Sequence, residues 1–390
     1  MGEILLGTSG WSYKDWIGPF YRDDEKSKLS SYSKVFKTVE IDSTFYSYPS
    51  EAMVSALARY TRPGFIYSAK LPKLITHKKR LDMSKGVEED LKEFCRLMRP
   101  LLSRGKLGCI LVQLPPKFGS NKAAILEDFL KVLPSDFNFA IEFRDPSWLS
   151  ETTWNLLSKY GVAYTVVDEP LLPPHVVLTS EIAYFRWHGR GVRPWYNYRY
   201  SEDELRQWVP KLREAAGKVD RVLGYFNNHF HGYAVENCLQ VLEMLGALTQ
   251  EQAEAKTKIV KYFSRPPEAE VVLSAKLFPS AGSKLSEELL PLMDLGRFKR
   301  IKEIDDSEVV LDEVSEDRLR GSVRGYNIDI DLERRVILHD CADWSRCIPE
   351  KKLCKHVGKF LLSLDEGLAS RVLKRIASER ELWAFKPYAE

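Results

Sequence analysis

Two short pairs of residues in the last quarter of the chain carry the most specific chemistry. One residue separates His339 from Cys341, one separates Cys354 from His356, and twelve lie between the pairs. Imidazole nitrogens and thiolates are the donors tetrahedral zinc takes, and two ligand pairs that fold together can nucleate a segment too small to bury a large core. The spacing predicts a zinc ion held by His339, Cys341, Cys354 and His356, in a closed site that is structural rather than catalytic. Cys347 is the rival to His339 for the fourth position. A disulfide would leave one of the three clustered thiols over, and a reducing cytosol disfavours it. Cys95, Cys109 and Cys238 sit in apolar or helical surroundings and read as small core residues.

A second constellation lies at the ends of short apolar runs. Glu40 and Asp42 come from TVEIDSTFYSYP, Lys70 closes FIYSAK, Gln113 lies near the end of CILVQL, and Glu142, Arg144 and Asp145 follow NFAI. Asp168 ends the sixth run, His188 and Arg190 follow IAYFRW, and Asn227, His229 and His231 follow the last. Carboxylates and imidazoles can move protons or hold divalent ions that activate water, while lysine and arginine can hold a phosphate. Glu40, Lys70, Glu142, Arg144, Asp168 and His231 are therefore the candidate catalytic set, with Trp11, His188, Arg190 and Asn227 as candidate ligand contacts. The bland reading is that Glu142–Arg144 and Glu40–Lys70 are ion pairs that fill space. Repeated His and acidic ligands of a multi-metal nuclease are sparse, which weighs against a catalytic metal. Trp11, Tyr13, Trp16, Phe45, Tyr46, Trp148, Trp187 and Trp195 can stack on bases or sugars, or merely pack loops. His77 lies in the basic loop ITHKKR, where a solvated loop is the simpler account.

The elements that must position these groups alternate. Buried strands are expected at residues 4–9, 39–41, 65–70, 109–114, 138–143, 162–167, 182–187 and 222–226, with helical spacing at 29–36, 53–60, 87–102, 125–133, 154–160 and 205–215. Such βαβ alternation calls for parallel strands, and eight units close a barrel, with a doubly wound open sheet as the competing arrangement. In a barrel the strand ends converge on one mouth. Residues 1–250 are assigned to the barrel, 251–280 to a linker helix and a Pro-rich junction at Pro266-Pro267, and 281–390 to a second domain. There a helix at 285–295 precedes strands at 308–314, 318–323 and 326–330, and an apolar helix at 357–364 follows Cys354 and His356. The fold class is thus α/β, a TIM-type (β/α)8 barrel followed by a small α+β zinc-binding domain.

Composition sets wider bounds. The 390 residues are 44% hydrophobic and 29% charged, with a formal net charge of +3, too mild to establish nucleic-acid binding. No apolar run approaches the ~20 residues that cross a bilayer, and MGEILLGTSGW lacks a basic start and a cleavable apolar core, so no membrane role and a cytoplasmic location are expected.

The motifs also carry resemblances. GTSGWSYKDWIGPFY, TVEIDSTFYSYP, KLPKLITHKKRL, LVQLPPKF, AIEFRDPSW, RWHGR and YFNNHFHGYAVEN, in that order, together resemble the YecE-like proteins, a TIM-barrel family of unknown function. The resemblance implies a barrel similar to those of the endonuclease IV and xylose isomerase class, without an established reaction. LHDCADWSRCIPEKKLCKHVGKFLLSL resembles the SWIM-type zinc finger, Cys-x-Cys, a gap, then Cys-x-His before an apolar helix, except that the family's first cysteine falls on His339. SWIM modules bind DNA or protein, so either partner is implied. The expected function is an enzyme, a phosphodiester hydrolase or a sugar-phosphate enzyme, whose barrel acts on nucleic acid or a sugar phosphate and whose finger assists recognition. The alternative is a non-catalytic barrel that holds a small phosphorylated or sugar ligand or docks a partner.

Overall fold

The computed structural model describes residues 2–23, 25–191, 195–246, 248–264 and 284–388. The expected break at Pro266-Pro267 and the rest of the junction as far as Pro279 lie outside the described residues. The chain divides into two compact units, residues 1–263 and 264–390.

In the first unit, eight strands run β1 (Glu3–Thr8), β2 (Thr38–Ile41), β3 (Ile66–Lys70), β4 (Leu107–Gln113), β5 (Phe139–Glu142), β6 (Ala163–Asp168), β7 (Ile182–Trp187) and β8 (Arg221–Phe226). All hydrogen-bonded neighbours are parallel, in the order β1-β8-β7-β6-β5-β4-β3-β2. The two end strands meet through a parallel bridge between Ser9 and Glu40, where the Gly10 amide donates to the Glu40 carbonyl at 2.8 Å. This is an eight-stranded, nearly closed TIM-like barrel. Gly7 permits the seam, because a Cβ there would lie 2.2 Å from the Thr38 carbonyl oxygen. The strands read as continuous apolar runs because both faces are covered. One small cluster, including Leu5, Ile66, Leu111, Tyr184, Leu223 and Tyr225, is separate from the larger core that involves the helices.

The helices are α1 (Lys28–Val35), α2 (Glu51–Tyr60), α3 (Val87–Leu102), α4 (Ala123–Lys131), α5 (Glu151–Lys159), α6 (Glu202–Arg206), α7 (Trp208–Ala216), α8 (Tyr233–Met244) and α9 (Gln250–Phe263). The single helix expected at 205–215 is split, because Pro210 has no amide to offer the Arg206 carbonyl. A capping box formed by Ser201 and Glu204 starts the first piece. Helix α9 also corrects an expectation. It is not part of a linker, since Gln252 donates to the Val35 carbonyl at 2.8 Å and Ile259 is fully buried in the first unit's core.

The second unit holds a five-stranded sheet in the order β13-β12-β11-β10-β9: β9 (Val309–Val314), β10 (Arg318–Val323), β11 (Tyr326–Asp331), β12 (Val336–His339) and β13 (Ala384–Pro387). The first four form an antiparallel meander, and β13 lies parallel to β12. Arg324 and Gly325, both with positive φ, make the two-residue turn whose twist suits a hairpin. The helix expected at 285–295 stops at Leu289 and tightens into a 3-10 turn over Leu290–Leu292, which contains Pro291. The helices Lys355–Leu362 and Glu366–Ser378 contribute Phe360, Leu361, Leu373 and Ile376 to a core shared with Leu319, Val323 and Ile330. Among the described residues no helix is long and apolar enough to cross a membrane.

Candidate functional site

A buried guanidinium organises the barrel mouth. Arg186, on β7, points inward with Tyr184 and His188, the alternation that a strand imposes. Its Nη2 donates to Glu40 Oε1 at 2.7 Å and its Nη1 to Glu142 Oε2 at 2.6 Å, and all three side chains are inaccessible to solvent. Ser9 Oγ and the Tyr184 hydroxyl complete Glu40 at 2.6 and 2.7 Å. Glu142 Oε1 accepts from Gln113 Nε2 at 2.7 Å and is ion-paired with Arg144. The inference of Glu142–Arg144 pairing is met, whereas Glu40 is paired with Arg186 rather than with Lys70. Lys70 is held instead by Asp42, 3.1 Å from its Nζ, with the Phe45 ring 4.2 Å away.

His188 sits beside this lock, with Nδ1 2.9 Å from Asn227 Nδ2 and Nε2 3.3 Å from Glu142 Oε1. Burial, reinforced by Arg144, pulls its pKa down to about 3, so the ring is neutral. Nε2 also lies 3.0 Å from Arg144 Nη2 and 3.4 Å from Arg186 Nη1, so guanidinium donors face it as well as the Glu142 carboxylate. Burial alone would raise the Glu142 carboxyl, but Arg144 and Arg186 outweigh it and hold it well below the ordinary range. Glu169 differs. Burial pushes it up to about 7 against the opposing charge of Arg144, with which it is ion-paired. Burial also lowers Lys70, and burial together with the Lys70 and Arg144 charges lowers His77. His77 lies on a π-helical turn, Leu74–Lys78, a local deviation often found at functional sites, and Arg80 and Leu81 just beyond it have positive φ.

The other expected residues divide. Asp168 is bound by both ends of the Arg190 fork at 2.8 and 2.9 Å and by Trp208 Nε1 at 3.1 Å, which makes this pair a brace. His231 does not join the mouth. Its φ is +56°, its backbone amide donates to Asp15 Oδ2, and its side chain is exposed. Trp11 is partly buried against the core. Trp16, Trp148 and Trp187 are buried and cannot act as stacking platforms, whereas Tyr13, stacked on His229 with centroids 4.4 Å apart, is only partly buried. Sequence reasoning missed Ser9, Glu169, Tyr184 and Arg186. For Arg186 the signal was present, a charged residue at an inward position of an otherwise apolar run.

In the second unit, His339, Cys341, Cys354 and His356 converge, with one ligand atom from each within 4.8 Å of the others. The sulfurs are 3.8 Å apart, too far for a disulfide and close to the ~3.8 Å edge of a tetrahedron with metal–sulfur bonds of about 2.3 Å. His339 Nδ1 lies 2.6 Å from the Asn327 carbonyl, which fixes its proton there and turns Nε2 inward as a lone pair. His339 Nε2 and His356 Nδ1 are both buried without a partner among the described residues, the condition a metal ion would relieve. The donor set fits a metal ion. Strand β12 delivers His339, while Cys354 caps the helix Lys355–Leu362 and receives the Val357 amide at 3.5 Å. Cys347 lies outside the cluster, on the turn Trp344–Cys347 buried in the core, and burial pushes its thiol up to about 12.

Comparison with known proteins decides the family of the first unit. The model of the family described as "Protein of unknown function DUF72" matches residues 5–259. The chain belongs to the DUF72 family. The UPF0759 protein YunF of Bacillus subtilis is 29% identical over 267 residues, 62% of this chain and 94% of YunF. The UPF0759 protein YecE of Escherichia coli (strain K12) is 28% identical over 236 residues, 54% of this chain and 81% of YecE. A crystal structure of a DUF72 family protein from Thermotoga maritima is 34% identical with a TM-score of 0.58, covering 62% of this chain and 99% of that one. Another, from Enterococcus faecalis, shares the fold at 24% identity and a TM-score of 0.54, covering 63% and 98%. The DUF72 match ends before the second unit, so the four metal-binding candidates lie outside it.

Proposed function

We propose that the DUF72 barrel is an enzyme for a phosphorylated substrate, a sugar phosphate or a nucleic-acid phosphodiester, bound at the mouth. One observation carries this reading. Glu169 is left outside the Arg186 lock, with its carboxyl raised to about 7, beside Arg144. A carboxyl poised near neutrality can give or take a proton, while Arg144, Lys70 and the neighbouring His77 supply donors for phosphate oxygens. Arg186 occupies the inner oxygens of Glu40 and Glu142, so these two form the floor of the site and do not transfer protons. A metal-dependent mechanism would have to displace that guanidinium. In the second unit, His339, Cys341, Cys354 and His356 hold zinc in a closed structural site of SWIM type, and the unit recognises DNA or protein.

Calorimetric titration with ribose 5-phosphate and a 5′-phosphorylated dinucleotide tests the barrel. Binding weakened at least tenfold by Arg144→Met, with turnover of bis(p-nitrophenyl) phosphate or of the sugar phosphate lost in Glu169→Gln, supports the enzyme. No affinity for either anion would sink it. The saturated state of Glu40 and Glu142 favours a second reading, a barrel that binds without catalysis. Tight binding with no turnover of either substrate selects that one.

A further inference from the structure

The sheet of the second unit ends on an unusual strand. Strand β9 pairs with β10 on one side and with nothing on the other among the described residues. An edge of this kind presents a row of free amides and carbonyls, which proteins ordinarily blunt with charged side chains, proline, a β-bulge or a cover. Here the strand is VVLDEV, and Val310, Leu311 and Val314 are 50%, 43% and 47% exposed. Leu311 and Val314 pair with the inward-facing Gly321 and Leu319, so they extend the sheet's apolar face beyond its buried core. A register shift between Arg320 and Gly321 leaves Asp312 extra on the edge.

Charge identifies what fits there. Between Glu303 and Asp317 the chain carries eight acidic residues and no lysine or arginine. Some are neutralised from within: Glu308 by Arg324, Glu313 by Arg320 at 3.9 Å, Glu316 by Arg371 at 3.6 Å, and Asp306 by Lys359. Asp312 and Asp317 are exposed and have no ion pair among the described residues. An edge with this charge repels a phosphate backbone and also a second copy of itself, but attracts a cationic strand.

We propose that β9 is a docking edge for a basic, extended peptide segment of a partner protein, which adds a sixth strand to the sheet. Its backbone pairs with β9, its alternate apolar side chains cover Leu311 and Val314, and its lysines or arginines lie near Asp312 and Asp317. This deepens the recognition role proposed for the second unit by selecting protein over DNA at this edge, and it is independent of the metal.

The test uses the full chain and three fluorescein-labelled probes: an eight-residue peptide of alternating valine and lysine, its valine–glutamate counterpart, and the valine–lysine peptide with alternate backbone nitrogens methylated. A fourth probe is a twelve-base-pair DNA duplex. The expected result is saturable binding of the first peptide, at least tenfold weaker binding of the second and third, and slowed amide exchange confined to β9. Leu311→Lys should weaken the first peptide at least tenfold at unchanged melting temperature. Equal binding of the methylated peptide, or protection elsewhere than β9, overturns the inference. Duplex binding without peptide binding also overturns it while leaving a recognition role standing, and binding of neither probe overturns both.

Discussion

Arg186→Met isolates the energetic centre of the barrel. Methionine keeps most of the side-chain volume and removes the charge. Glu142 would retain Arg144, Gln113 and His188, so its charge stays compensated. Glu40 would retain only the hydroxyls of Ser9 and Tyr184. The variant therefore buries one carboxylate without a counter-ion, and breaking such a pair costs ~3–5 kcal/mol. For a unit of this size each kcal/mol lowers the melting temperature by about 2–4 °C, giving a drop on the order of 10 °C. Scanning calorimetry of the whole chain should show this in the barrel transition alone, with the second unit's transition as internal control. Adding Glu40→Gln should recover much of the loss, because the orphaned charge is then gone. A loss under ~1 kcal/mol, or no recovery in the double variant, would refute the view that Arg186 compensates a buried charge on Glu40.

Two further outcomes follow from the same geometry. Glu169 has a folded pKa of about 7 against an ordinary 4.5, so the folded state binds the extra proton and stability should fall as pH rises from about 4.5 to about 7. His188, lowered from 6.5 to about 3, has the opposite sign, with stability lost as pH falls from about 6.5 towards 3. In urea titrations the two slopes should oppose each other between 4.5 and 6.5, and Glu169→Gln should expose the His188 slope alone; an unchanged profile in that variant would count against the buried acid. For the second unit, metal analysis should find one zinc per chain, retained by Cys347→Ser and lost from Cys354→Ser. The latter should also lose the second unit's calorimetric transition, since structural zinc contributes about 10–16 kcal/mol in small zinc domains.

The sequence made some of this architecture visible for physical reasons. Strands covered on both faces must be apolar along their length, so the eight barrel runs stood out, and their polar ends marked the mouth. The four residues of the candidate metal cluster were legible because they lie in two local pairs. Partners were not legible, because closure of the barrel brings Glu40 to Arg186 across 146 positions of sequence separation. Glu169 stayed hidden behind Asp168, since both acids are buried and only their partners distinguish them, Arg190 and Trp208 on Asp168 and Arg144 on Glu169. His231 was misplaced because proximity to a strand end does not fix direction: the positive φ at His231, followed by Gly232, turns the chain outward. For Cys347 the short helical turn decided, carrying the thiol into the core and away from Cys341 and Cys354.

Lys70 separates scaffold from site. If it belonged to the structural lock, its loss should resemble that of Arg186. The geometry argues otherwise. Its one carboxylate partner, Asp42, keeps 26% of its side chain exposed and can be hydrated when the ammonium is gone. Lys70 is itself held in an environment that disfavours its charge, so an apolar replacement of similar volume relieves desolvation as it removes an attraction. Lys70→Met should therefore change stability by no more than about 1 kcal/mol, the range of a partly exposed pair. Its affinity for phosphorylated ligands should fall at least tenfold, because its ammonium, 4.2 Å from the Phe45 ring, is one of the donors proposed for the phosphate oxygens. A melting temperature lowered as far as in Arg186→Met would assign Lys70 to the scaffold. Unchanged stability together with unchanged anion affinity would remove it from the site altogether.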